Sequence, residues 1–157
     1  MSVSPELQRI ATLIDAEAGE LRAFVSLLER EESLLVTGDA DPLLTLARDK
    51  SERCQRLQRI HDERTRLLAR LRQPHTDAAI RDLVAALPNA PARWDEVADL
   101  ARRAQARNTL NGKLIAERMQ HNQAALSVLM NAAEQAPLYD AAGMAQPIGG
   151  GRHLGSA

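Results

Sequence analysis

The chain reads as an all-α protein, an antiparallel bundle of three long amphipathic helices plus a short helix, with a flexible C-terminal tail. Three observations predict this. Leu7, Ile14, Leu21, Leu28 and Leu35 recur every seven residues, which keeps them on one helical face. Proline and glycine gather between long periodic stretches, where they stop and restart helices. Aromatic side chains make up only 2% of the 157 residues, so the interior must be built from Leu, Ile, Val, Ala and Met. That composition suits thin helix-on-helix packing better than a ring-lined pocket. The length allows about one domain, expected over residues 1–136, with residues 137–157 as the tail.

The first helix should start at Ser4-Pro5-Glu6: Ser caps, Pro occupies a position whose N–H is unused, and Glu meets the positive end of the dipole. Gly38 should end it in a left-handed cap, and Asp39-Ala-Asp41 turns the chain. Asp41-Pro42 repeats the start signal, so the second helix folds back as a hairpin. It should run to about Gln73 before Pro74, with Leu43, Ala47, Cys54, Leu57, Leu68 and Leu71 inward and Lys50, His61 and Arg64 interrupting the stripe. Cys54 is expected in the core. Thr76 to Leu87 forms a shorter helix, Pro88-Asn-Ala-Pro91 breaks the chain, and the third long helix runs from about Ala92 to Gln135. A helix of that length outreaches its partners, so a kink or a frayed end is expected. Five of the eight glycines fall after Pro137, where too little apolar surface remains to order the chain.

One stretch of the third long helix stands apart. On its heptad frame Trp94, Ala101, Asn108, Ile115, Asn122 and Leu129 face inward, flanked by Val97, Ala104, Asn111, Met119, Leu126 and Ala133. Asn108, Asn111 and Gly112, followed by Leu114 and Ile115, thus put amides and a glycine where a seam should be apolar. The reading is a structural motif in which the amides fix register and Gly112 permits a close backbone crossing; a ligand or partner site is the alternative.

Charge is unevenly spread. Residues 1–41 carry nine acids and three bases, residues 42–72 four acids and nine bases, and the chain as a whole has a formal net charge of −1. The two neighbouring helices should pair across their flanks. The near-neutral total gives no field for a phosphate backbone or an anionic bilayer, and the arginines of the second helix are interleaved with acids, so neither nucleic-acid binding nor membrane insertion is expected. No run approaches the ~20 apolar residues of a membrane span, no basic-then-apolar leader is seen, and a single cysteine suits a reducing compartment; a cytoplasmic protein is expected. His61-Asp62-Glu63 point about 100° apart on a helix, Cys54 and His61 are two turns apart, and His121 has no nucleophile near it. No metal site, cofactor or catalytic group is therefore expected.

With these residues in hand, the chain resembles the FlgN family of flagellar export chaperones over roughly residues 7–143. Leu27 to Asp39 and Leu43 to Lys50, leading to Leu57 and Arg64, are similar to the family's first pattern. Asn108-x-x-Asn111-Gly112-x-Leu114-Ile115, then Asn122, Leu126 and Leu129, are similar to its most distinctive motif, and Tyr139-Asp-Ala-Ala-Gly143 to its terminal element. The resemblance implies a cytoplasmic, non-enzymatic chaperone that binds flagellar hook–filament junction proteins before secretion and delivers them to the flagellar export gate. A helical scaffold or adaptor unrelated to secretion, and more remotely a nucleic-acid binder, remain alternatives.

The client site follows from a mismatch of lengths. The apolar stripe of the third long helix continues through Met119, Leu126, Leu129, Met130 and Ala133, beyond what the second helix can cover. Leu126, Leu129, Met130 and Ala133 are therefore expected to meet a client helix, with self-association as another cover and a place in the protein's own core as the alternative, and Tyr139 to seal that site or meet the export gate.

Overall fold

The computed structural model describes residues 2–135 and the short segments 138–139 and 145–146. It contains α1 (Pro5–Thr37), α2 (Asp41–Arg70), α3 (Asp77–Val84) and α4 (Ala90–Gln135), followed by two two-residue strands, β1 (Leu138–Tyr139) and β2 (Ala145–Gln146), paired antiparallel. The fold is the expected helical bundle. The strand pair was not foreseen, because two residues are too few for a periodic pattern. The rest of the expected tail lies outside the described residues. The chain divides into one compact unit through Leu114 and a second from Ile115.

Helix ends follow local chemistry. Ser4 accepts from the Leu7 N–H at the start of α1, and Gly38 closes it at φ 78°, its N–H reaching the Leu34 carbonyl. The left-handed cap is what requires glycine there. α2 begins one residue earlier than Asp41 as a cap would have it: Ala40 is the cap residue, without a side-chain bond, and Asp41 lies in the first turn. It ends before Gln73, because Arg72 takes a left-handed conformation at φ 55°. The Gln73 N–H then reaches back to the Leu68 carbonyl and that of Arg72 to Ala69. These two bonds offset the roughly 1 kcal/mol or more that a left-handed non-glycine residue costs. Thr76 caps α3, and Asn89 at φ 63° turns the chain into α4. α4 is a single helix of 46 residues.

In the unit through Leu114 the core gathers Ile10, Leu13, Ile14, Ala18, Leu21, Phe24, Val25 and Leu28 of α1 against Leu67 and Leu68 of α2, Ile80 and Val84 of α3, and Trp94, Val97, Leu100 and Ala104 of α4. The α1 frame is as read from its heptads. The α2 frame is so only in part: Leu43, Leu57, Leu68 and Leu71 are buried or half-buried, but Ala47 and Cys54 are exposed, and the inward line runs Leu46, Lys50, Arg53, Leu57, Ile60, Arg64, Leu67 and Leu71. This line is itself a heptad with cations at three positions. Hydrophobicity therefore could not reveal it.

Those cations meet acids of α1. Lys50 pairs with Glu31 at 3.2 Å and Arg53 with Glu20 at 2.9 Å, Arg56 reaches Glu20 at 3.7 Å, and Arg64 grips both carboxylate oxygens of Glu17. Arg9 and Glu63 pair in the opposite sense at 2.7 Å. Early residues of α1 meet late residues of α2, so the hairpin is antiparallel. α4 pairs in rising order, Arg93 with Asp15, Glu96 with Arg22, and Arg107 with Glu29 and Glu32, so it runs parallel to α1. The charge asymmetry read from sequence is thus realised as direct pairing, although Arg59 and Arg66 have no ion pair with α1 among the described residues.

The Arg64–Glu17 pair is the most buried of these, with side chains 4% and 12% exposed. Replacing Arg64 by Ala strands a carboxylate against the core and should cost about 3–5 kcal/mol in chemical denaturation, whereas Arg59→Ala should change stability by no more than about 0.5 kcal/mol. Glu96, held by Arg22 and Arg93, has its pKa lowered to about 2. Its contribution is therefore present above the ordinary carboxylate range near 4.5 and fades as pH falls toward 2. In an Arg22→Ala, Arg93→Ala double variant, stability measured between pH 5 and 2 should fall less steeply than in the parent.

Candidate partner-binding surface

α4 is inward-facing along Val97, Leu100, Ala104, Arg107, Asn111 and Leu114, all buried or half-buried. The frame set on Ala101, Asn108 and Ile115 is therefore displaced by one residue, and the reason is again a charge: Arg107 belongs to the inward line because Glu29 and Glu32 of α1 receive it.

The expected motif divides accordingly. Asn111 is fully buried and donates through Nδ2 to the Leu28 carbonyl and to Glu31 Oε1, both at 2.9 Å. Glu31, itself 6% exposed, also holds Lys50, so three helices meet at one polar knot. Two acceptors in front of Nδ2 fix the orientation of the amide, and Oδ1 has no partner among the described residues. Asn108, by contrast, is exposed, Leu114 is half-buried and Ile115 is 39% exposed. Gly112 is exposed, and a Cβ built on it would meet nothing within 4 Å, so the close backbone crossing expected there does not exist. Of the expected motif, Asn111 is the amide that turns inward, where it meets Glu31. Glu31 could have been suspected from its place between Leu28 and Leu35 on the apolar stripe.

Between Ile115 and Met130 the large apolar side chains are exposed. Met119 is 58% exposed, Leu126 58%, Leu129 67% and Met130 45%. Helical spacing of about 100° per residue places Ile115, Met119, Leu126, Leu129 and Met130 within an arc of roughly 100°, the width of a stripe that normally faces a core. Asn122 lies inside that arc as its polar member and is exposed. Lys113, Glu117, Gln120 and His121 fall on the opposite side. Ala133 belongs to α4 but its side chain lies outside the described residues, as does that of Tyr139, whose backbone pairs with Ala145. Val128, 66% exposed, points away from the arc and was not part of the sequence reading.

Other depressions are shallow. One is lined by Glu117, Gln120, His121 and Ala124, another by Glu17, Leu21, Cys54, Leu57, Gln58, His61 and Ala101. Among the described residues no group of three or more His, Cys, Asp or Glu side chains is placed to hold a metal ion, and no helix is long and apolar enough to cross a membrane.

A family model described as FlgN protein matches residues 1–147. A crystal structure from Pseudomonas aeruginosa, described as a flagella synthesis protein FlgN, superposes with a TM-score of 0.64 at 24% identity, covering 83% of this chain and 98% of that one. It supports the helical fold. No curated protein sequence matches the chain.

Two substitutions separate the parts of the motif. Asn111→Asp removes both donated bonds and sets a carboxylate beside Glu31, so it should cost about 3 kcal/mol or more in thermal or chemical unfolding. Gly112→Ala meets open space and should stabilise by about 0.5–1 kcal/mol; destabilisation would restore the close crossing.

Proposed function

The chain belongs to the FlgN family, a flagellar protein family, and we propose that it serves as a cytoplasmic chaperone of flagellar type III export. In this reading it binds hook–filament junction proteins before secretion and brings them to the export gate, acting by binding and without catalysis. The observation that carries the reading is the uncovered apolar arc of α4. Single exposed hydrophobics are ordinary, but five large ones aligned on one helical face leave a stripe that water wets at a cost, and each becomes favourable when another helix covers it.

The physical demands of such a role agree with the residues. An unassembled subunit presents amphipathic helices that would otherwise aggregate, and a helix laid along the arc buries both faces together. Met119 and Met130 give that surface unbranched, polarizable side chains that conform to more than one partner outline. Asn122 interrupts the arc with a group that favours a partner helix carrying a hydrogen-bonding side chain at the facing height. Ala133 extends the same face by sequence spacing, and Tyr139 is proposed as a further contact that seals the client or meets the gate.

The decisive variant is Leu129→Asp with Met130→Asp. Both residues are exposed, so the far-UV circular dichroism and melting temperature of the free protein should be retained, while capture of co-expressed junction proteins should weaken roughly tenfold or more. Unchanged capture would move the client site off this face. A change in oligomeric state without loss of capture would assign the arc to self-association.

A further inference from the structure

The connection between α2 and α3 carries a cluster that the proposed function does not use. Arg64, 4% exposed, lies between α1, this connection and α4: it grips Glu17, stacks over the Trp94 ring with its guanidinium carbon 5.1 Å from the centroid, and donates from Nε to His75 Nε2 at 3.2 Å. The His75 ring stands edge-on to that of His61, with centroids 4.6 Å apart. From α3 and α4, Asp77, Arg81 and Asp95 are committed to one another, and Asp77 also accepts from Trp94 Nε1 at 2.8 Å. Among the described residues, Glu17 is the acid that offsets the positive surroundings of His75.

We propose that the Arg64–His75 contact is a pH-operated latch on the α2–α3 connection. The bond requires Nε2 to be an acceptor, so the neutral ring carries its proton on Nδ1. When Nε2 takes a proton from solvent it becomes a donor facing a guanidinium that can only donate, and a second cation arrives beside the first. The contact then breaks, and the segment from Arg72 to Thr76 lifts from Arg64. His75 is open enough to solvent for the proton to reach it.

The sign agrees with the surroundings. Burial first, then Arg64 and His61, push the His75 imidazole below its ordinary value, with Glu17 pulling the other way. The latch is therefore closed above the ordinary histidine value of 6.5 and opens as pH falls through the lower folded value.

Trp94 is the chain's single tryptophan and lies under the Arg64 guanidinium, so its fluorescence reports the latch directly. In the full-length protein, titration from pH 8 to 5 should shift the emission to longer wavelength with a midpoint below 6.5, matching the midpoint of the His75 ring signals in NMR. His75→Gln keeps an acceptor that does not titrate and should abolish the transition. His61→Gln removes one neighbouring imidazole and should raise the midpoint. A transition that survives His75→Gln, or protonation of His75 with no change at Trp94, would overturn the proposal.

Discussion

The structure depends on the pairing of buried and half-buried acids and cations between α1 and α2. Glu17, Glu20 and Glu31 occupy inward or near-inward turns of α1, and Arg64, Arg53 and Lys50 occupy the facing turns of α2. An ion withdrawn from water is costly unless its counter-ion stands at the same height along the bundle. A core of leucines, isoleucines and alanines with few rings would tolerate sliding one helix past another. Here a slip of one turn would leave Glu17, Arg64 and Glu31 unpaired together, so charge sets the register that aliphatic packing leaves loose. Asn111 carries the same constraint to α4, because its amide is held by a backbone carbonyl of α1 and by the very carboxylate that receives Lys50.

That constraint explains why one helix presents two characters. Through Leu114, α4 has a matched line of side chains facing α1 and α2, ending in the polar knot at Asn111. Beyond Glu31, fewer than two turns of α1 remain before Gly38 closes it. The apolar pattern of α4 nevertheless continues through Ile115, Met119, Leu126, Leu129 and Met130, all exposed. This continuing repeat is the feature on which the proposed client site rests, and membership of the FlgN family gives that proposal a flagellar setting.

Much of this was legible in the chain itself. The helix count, the hairpin, the caps at Ser4 and Gly38, the inward face of α1, the charge attraction between the first two helices and the overlong stripe of α4 all follow from signals within a few residues of one another. The start of α2 was misplaced by one residue because Asp-Pro reads as a cap-and-proline pair, while the backbone puts both inside the first turn. Its end was placed too late because an arginine, rather than a glycine or asparagine, takes the left-handed position.

What the sequence determined by itself is therefore the local part: which stretches are helical, where they stop, and that the third long helix carries more apolar face than the hairpin covers. Tertiary structure alone decided which polar residues turn inward. Lys50, Arg53, Arg64 and Arg107 look like interruptions or solvated charges when each helix is read alone, and Cys54, Ala101, Asn108 and Gly112 look like core. The reason is physical. An apolar residue declares its preference for burial by its own chemistry, but a charged or amide side chain is stable inside only if a counter-group waits across the interface, and that group lies tens of residues away in the chain.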